Sequence, residues 1–418
     1  MRIGVILAFI LLAFPASAEV REIPPGPDTL RLAIEQAASG DTLVLLSGEY
    51  TGPVTIDRPL TVTGQSAIIT GPDQGTVVSV TAPDVTITGL TIRGAGARLD
   101  KLDSGIALAE TADNAVVTEN HLQGNLIGVD VQGASGVTVS GNLIEGRNDL
   151  RVPERGPGIY VWNAPDLLVE GNTIRMGRDG IFVTTSNRAT YRDNDMSELR
   201  FAFHSMYAND ITLIGNTSHG NDMGFAFMYS NKVSATGNLS DRDTNHGFFM
   251  NFVNHADLTG NEVRNGGEQC LFIYNSNRNR YEGNRFAGCD NGVHFTAGSQ
   301  DNVLTANAFI GNRTQVKYVG TRWLEWAEDG IGNYWSDHAG FDIDGDGITD
   351  SPYRPNDIMD QVIWSQPMAR MLVGSPAVQL ISWSQSRFPG LLPGGVTDPY
   401  PLSSPRAAGL AYTQEPTQ

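Results

Sequence analysis

Three residues in the middle of the chain stand at spacings that could hold a soft metal ion: His204, Met206 and Met228. His204 and Met206 are two apart, so on a β-strand they share one face. Met228 follows Met206 by 22 residues, which is also a period of the whole middle of the sequence. Two thioethers and an imidazole are soft ligands, suited to Cu(I) and unsuited to Mg or Ca. A thioether binds no proton, so such a site could release its ion without a proton cost. The blander alternative is that these Met and aromatic side chains lie under a lid formed by a partner or by the chain's own tail. Met250, expected to point inward, and His294 are secondary metal candidates. Cys270 and Cys289 leave three states open: a disulfide, buried free thiols, or thiolate copper ligands. A hard-ligand candidate lies in FDIDGDGITDSPY (341–353), where Asp342, Asp344, Asp346 and Asp350 alternate with Gly as in short Ca²⁺ loops. Tyr353 stands where an EF-type loop needs a bidentate acid, so Asp357 or Asp360 would have to supply it; an ordinary Asp-Gly turn is the other reading.

The elements that position these residues announce themselves by repetition. An eight-residue phrase (VTVSGNLI, LLVEGNTI, ITLIGNTS, VSATGNLS, ADLTGNEV and their kin) places Asn at 120, 142, 172, 194, 216, 238, 261, 284 and 307. Most intervals are 22 or 23 residues, the mark of a solenoid whose units bury their apolar faces only against neighbours. Fourteen residues before most of these Asn a second strand opens on Gly: GVDVQ, GIYVW, GIFVT, GFAFM, GFFMN. Three short strands and three turns fill such a period, and stacked Asn at one corner can bond along the stack. The fold expected is all-β: a right-handed parallel β-helix of 22–23 residues per coil, with an N-terminal helical cap and a C-terminal helical or irregular extension.

Alternation within the Gly-initiated strands separates inside from outside. Ile159, Ile181, Phe203, Phe225, Phe248, Cys270 and Val293 are expected inward, with Val161, Val183, Phe227, Phe272 and Phe295. The outward strip then holds Asp130, Tyr160, Phe182, His204, Ala226, Phe249, Leu271 and His294, beside Trp162, Met206, Met228 and Ile273. That is too apolar for a plain solvent face and reads as an interaction surface; Tyr160, Trp162 and Phe182 are its docking candidates.

The ends follow from composition. Met1–Ala18 (MRIGVILAFILLAFPASA) reads as a secretory signal. Residues 19–41 read as a cap, with a helix in TLRLAIEQAA; 42–320 as the β-helix; 321–396 as a C-terminal cap and partner-docking region; and 397–418 as a flexible tail. Asn356 is expected to cap a helix over 357–373, kinked at Pro367, and Ser375-Pro376 to open a second. Trp323, Trp326, Trp364 and Trp383 in this region are further docking candidates. Two insertions, GAGARLDKLD and RNDLRVPERG, interrupt the period with dense charge, read either as solvated loops or as a docking patch. Asp and Glu outnumber Lys and Arg, 46 to 28, which argues against nucleic acid and favours cationic partners.

Exported β-helices raise the question of polysaccharide chemistry, which needs a base beside a cation or Arg in the groove. The outward strip offers a lone Asp130 and no Arg, so sugar binding or modification stands as the alternative and a purely structural role as a third class. At a finer level, DLRVPERGPGIYVWNAPD (149–166), RDGIFVTTSN (178–187), HSMYAND (204–210), FIYNSNRNRYEGNRF (272–286), FIGNRTQVKYVGTRW (309–323), GIGNYWSDH (330–338) and SPYRPNDIMDQV (351–362) resemble the NosD family over about 25–396. The resemblance implies a periplasmic, non-enzymatic, copper-binding accessory protein with a pectin-lyase-like β-helix. It implies work at the inner membrane with an ABC transporter (ATPase and membrane subunits) and a lipoprotein copper chaperone, to help build the tetranuclear copper–sulfide centre of nitrous oxide reductase. No P-loop motif occurs in the sequence, so the ATPase would be another chain. The resemblance supplies no ligand motif.

Overall fold

The computed structural model describes residues 18–372, 374–387 and 394–405. The expected signal, except Ala18, lies outside the described residues, as do 388–393 and 406–418.

Each coil contributes three strands, for example Asp179–Thr184, Thr190–Arg192 and Asp195–Ser197. Each pairs in parallel with its counterpart one coil on. The Gly-initiated strands stack into one sheet of twelve, from Val54–Ile56 to Thr314–Val319. The remaining two strands of each coil form the other faces. Ile181, Val183, Phe203, Phe225, Phe227 and Phe248 fill the interior and are at most 1% exposed, each stacked on its counterpart because the period keeps inward positions in register.

The Asn ladder is a hydrogen-bonded column. Each Asn side-chain oxygen accepts the backbone N–H of the Asn before it, as from Asn194 to Asn216 at 3.1 Å and from Asn216 to Asn238 at 3.0 Å. The side-chain amide reaches the next oxygen and a carbonyl of the adjoining strand. The Gly before each Asn is needed for conformation: Gly141, Gly171, Gly215, Gly237, Gly260 and Gly283 sit at φ +61° to +64°, which side chains disfavour. The ladder outlasts the repeat. Asn307 donates to Asn333, and the Asn333 N–H ends the column on Asp398 at 2.7 Å.

At the N-terminal end, α1 (Thr29–Gln36) buries Leu30, Ala33 and Ile34 over the first coil and covers an edge that would otherwise present unpaired backbone. At the other end, Trp323–Glu325 pairs with Gly395–Thr397. Asp398 accepts hydrogen bonds from Trp335 Nε1 at 2.8 Å and the Tyr400 N–H at 3.1 Å. The packed chain therefore continues past 397, contrary to a tail that is free from that point, because Asp398 and Leu402 are buried in the closure. Two helices lie between: α2 (Ile358–Ser365) and α3 (Pro376–Arg387), with a 3₁₀ turn over Pro367–Leu372. Asp357, not Asn356, caps α2, exchanging hydrogen bonds with Asp360. The Asn356 side chain is already spent on the Val316 carbonyl at 2.6 Å. Among the described residues no helix is long and apolar enough to cross a membrane.

The inserted charges pair within their own loops: Arg98 with Asp100, Arg147 with Asp149, Arg151 with Glu154. Self-paired, exposed charges of this kind fit solvated loops better than a docking patch.

Candidate metal centre

The outer face of the twelve-stranded sheet carries three columns. One runs Phe182, His204, Ala226, Phe249, Phe272, His294, and the next Thr184, Met206, Met228, Asn251, Tyr274. A third, made by the residue before the Gly position, runs Asp179, Phe201, Met223, His246, Gln269. Strict alternation would turn that third column inward. The strand pairing skips the Gly position, and the Phe201 and His246 rings lie against the outward His204 and Phe249.

His204 is 7% exposed. Its ring stacks on Phe182 at 4.8 Å and on Phe201 at 4.6 Å. Nδ1 lies 3.5 Å from Asp179 Oδ2, a long contact, and Nε2 is buried with no partner. Asp179 is fully buried and takes two hydrogen bonds from Arg200, at 3.0 and 2.9 Å. Burial pushes its carboxyl pKa up, but hydrogen bonds from His204 and Arg200 outweigh that and hold it below the usual value. An ionised Asp179 selects the tautomer with its proton on Nδ1 and leaves the Nε2 lone pair free, the arrangement by which outer carboxylates orient metal-binding histidines. Met206 and Met228 are direct register partners on adjacent coils, both half-buried.

The other predicted ligands divide. Met250 pairs with the inward Phe227 and is fully buried, so it belongs to the core. Its 22-residue distance from Met228 falls one short of that coil, whose register partner for Met228 is Asn251. Cys270 and Cys289 form a disulfide, with Cα atoms 5.7 Å apart, which removes both thiolates from the ligand set. Cys270 also occupies the Gly position rather than the inward one. Its coil is therefore shifted by one: Leu271 and Ile273 are core, and Phe272 faces out. His294 faces out but lies four coils from His204, stacked on Phe272 at 4.4 Å. The same face also carries His246, against Phe249, which alternation alone had hidden. Burial, with Lys317 and His246 nearby, pushes the His294 pKa down to about 4.

In the acidic loop Asp342, Asp344 and Asp346 offer carboxylate oxygens within 4.8 Å of one another. Asp350 lies outside that group and accepts the Ile343 N–H, while Asp342, Asp344 and Asp346 also accept backbone N–H groups of the loop. Asp357 and Asp360 are engaged in capping α2, so neither completes the loop.

Among the docking candidates, Trp162, Trp323 and Trp383 are exposed, while Tyr160 and Phe182 are half-buried and stacked at 5.4 Å; Trp364 is half-buried. Trp326 is 2% exposed, packed on Phe295 at 5.6 Å, and belongs to the closure of the solenoid rather than to a docking surface. An aromatic stack escaped the sequence reading: Tyr207, Tyr229 and Phe252, at the corner beyond the Met column, lie 5.1 and 5.0 Å apart. Their spacing of 22 and 23 residues was the available signal. Because their faces cover one another, they present edges to solvent, which suits protein contact better than sugar stacking. The groove is also less free of Arg than alternation suggested: Arg200 donates twice to Asp179, while Arg178 lies 3.7 Å from it with its Nε buried and without a hydrogen bond.

Known proteins agree with this architecture. Solved structures similar in fold include the Dettilon tailspike protein (TM-score 0.56, 16% identity, 69% of this chain and 63% of that one). The mannuronan C-5 epimerase AlgE6 A-module of Azotobacter vinelandii is another (0.54, 16%, 75% and 97%). At these identities they show the fold alone. A right-handed β-helix family model matches residues 75–197, and one described as periplasmic copper-binding protein (NosD) matches 140–340. The chain is 40% identical to a probable ABC transporter binding protein NosD of Pseudomonas aeruginosa, over 97% of this chain and 96% of that one. It is 38% identical to the protein of that name from Stutzerimonas stutzeri, over 98% and 96%. The chain belongs to the NosD family of periplasmic copper-binding proteins.

Proposed function

We propose that this protein is a non-enzymatic periplasmic accessory factor that binds Cu(I) through His204, Met206 and Met228. In this reading it works at the periplasmic face of the inner membrane with the ATPase and membrane subunits of an ABC transporter. It receives copper from a lipoprotein chaperone and helps assemble the tetranuclear copper–sulfide centre of nitrous oxide reductase. The observation that carries the metal assignment is the state of His204: buried, held by two aromatic rings, one nitrogen facing an ionised carboxylate and the other unpartnered. A buried polar atom without a partner is costly unless something binds it. The Met206–Met228 pair on the same face supplies soft donors beside it. The relatives' names support the transporter association, and the exposed Trp162 and Trp383 are the proposed contact points.

The test is anaerobic Cu(I) titration of the His204→Ser/Met206→Ser/Met228→Ser variant, with circular dichroism to confirm the β-helix. Loss of one tightly bound equivalent, with sulfur and nitrogen ligands seen by X-ray absorption in the parent, is the expected result. Unchanged stoichiometry in a folded variant would move copper elsewhere.

A further inference from the structure

His204 owes its orientation to more than the carboxylate beside it. Arg200 grips that carboxylate as a fork: its Nε donates to Asp179 Oδ1 at 3.0 Å and an η nitrogen donates to Oδ2 at 2.9 Å. Oδ2 is also the oxygen that faces His204 Nδ1, at 3.5 Å. The same guanidinium lies over the Phe201 ring, with Cζ 4.6 Å from the ring centroid. Phe201 in turn stacks on the His204 ring at 4.6 Å. One side chain therefore reaches the imidazole by two routes, a bidentate ion pair and a ring face.

The coil geometry brings both routes together. Phe201 is the register partner of Asp179, one coil on, and Arg200 is its chain neighbour. The Arg200 N–H bonds to the Arg178 carbonyl at 2.7 Å, so the two arginines hold the same place on successive coils. Arg178 Nε lies 3.7 Å from Asp179 Oδ2 without a hydrogen bond to it. Asp179 itself is fully buried. A lone buried carboxylate beside an imidazole would favour a doubly charged ion there. With two guanidiniums around it, Asp179 brings no surplus negative charge to His204, and the thioethers of Met206 and Met228 bring none either. A site so balanced discriminates against divalent ions by withholding charge from them.

We infer that Arg200 is the positioning residue of this site. Acting through Asp179 and Phe201, it fixes the His204 ring with Nδ1 protonated and Nε2 presented, and by balancing Asp179 it suits the site to a singly charged cation. The selectivity rests on the assignment of copper to His204; the ring tautomer requires no metal at all.

The first measurement therefore uses the metal-free, full-length protein: ¹H–¹⁵N correlation spectra of the histidine rings, with the His204 signals identified by their loss in His204→Ser. The parent should show His204 as a single Nδ1–H tautomer, and Arg200→Gln a mixture of both. A parent ring protonated on Nε2 overturns the inference whatever the variants do, as does an unchanged tautomer in folded Arg200→Gln. The second measurement compares affinities for Cu(I), by anaerobic competition with a chromogenic chelator, and for Zn(II). In Arg200→Gln the Cu(I) affinity should fall about 10–100-fold and the Zn(II) affinity rise about tenfold. Arg200→Lys keeps the charge without the fork, so it should recover the parent's Zn(II) affinity while its tautomers stay mixed. Equal Zn(II) affinities in the Gln and Lys variants refute the charge balance. If Cu(I) affinity proves indifferent to His204→Ser while the tautomer is as stated, the copper assignment fails and the positioning role stands.

Discussion

The Asn ladder makes a quantitative prediction about what holds the coils in register. The perturbation is Asn216→Ala, in the middle of the column. Its side-chain amide donates to the Tyr191 carbonyl and to Asn238 Oδ1, both at 2.9 Å. Its oxygen accepts the Asn194 backbone N–H at 3.1 Å and the Asn194 amide at 2.9 Å. Not all of these losses leave an orphan. Asn238 Oδ1 keeps the Asn216 backbone N–H at 3.0 Å, and the Asn194 amide keeps the Val169 carbonyl at 3.0 Å. The Asn194 N–H and the Tyr191 carbonyl lose these bonds inside a dry corner. At roughly 1–3 kcal/mol for each buried group left unmade, the substitution should destabilise by about 3–4 kcal/mol.

Asn231→Ala provides the control. Asn231 belongs to a second, exposed Asn stack, where its amide reaches Asn209 at only 3.3 Å and water can replace it; the expected cost is about 0.5 kcal/mol. Urea unfolding followed by far-ultraviolet circular dichroism measures both. The double variant Asn194→Ala/Asn216→Ala should cost less than the sum of its parts, because the bonds between the two are counted in each single change. If Asn216→Ala falls within about 0.5 kcal/mol of the parent, or matches Asn231→Ala, the ladder is a consequence of the fold and not a support for it.

Three other expectations follow from individual sites. Asp130 is buried beside Gln132, and burial pushes its pKa up to about 6, above the unfolded value. The folded state therefore prefers the protonated acid, and the cost of ionising it is fully present above pH ~6 and fades as pH falls toward ~4. Asp130→Asn should stabilise by about 2 kcal/mol near pH ~7.5 and by almost nothing near pH ~4; equal melting shifts at both would sink the assignment. We propose calcium for Asp342, Asp344 and Asp346, so millimolar Ca²⁺ should protect the 341–350 loop from proteolysis in the parent and not in Asp344→Asn, and equal cleavage with and without the ion counts against it. Leu380 and Trp383 on α3 are 64% and 56% exposed, and replacing both by Ser should abolish co-purification with the transporter's membrane subunit at unchanged melting temperature. Retained co-purification would clear α3 of that role.

The period was legible because the solenoid has one rule, and Asn, Gly and inward aliphatics all obey it. The faces were legible wherever Gly opened the strand. They failed at the coil where Cys270 stands in the Gly position, which displaced Leu271, Phe272 and Ile273 by one and hid the relation of Phe272 to His294. The column before the Gly was lost for a related reason: alternation assumes an unbroken strand, and the pairing skips that position. So Asp179, which orients His204, and His246 could not be placed on the face from spacing alone. The C-terminal closure was illegible in a different way. Asp398 reaches Asn333 across 65 residues, and no local pattern predicts a buried carboxylate that ends a column begun at Asn120.

The same regularity that makes the fold readable also limits which ligands can share an ion. Register partners on adjacent coils are about 4.8 Å apart. Metal–sulfur bonds are about 2.3 Å, so two thioethers one coil apart span a single ion with almost no adjustment. Met206 and Met228 meet that condition. His204 and His294 do not: they share a column but stand four coils apart, about 19 Å by strand spacing. Residues two coils apart reach a common ion only if both lean inward, and His294 instead lies flat on Phe272. A rigid parallel sheet therefore sorts its outward ligands by coil number, and residues of one column four coils apart cannot share an ion.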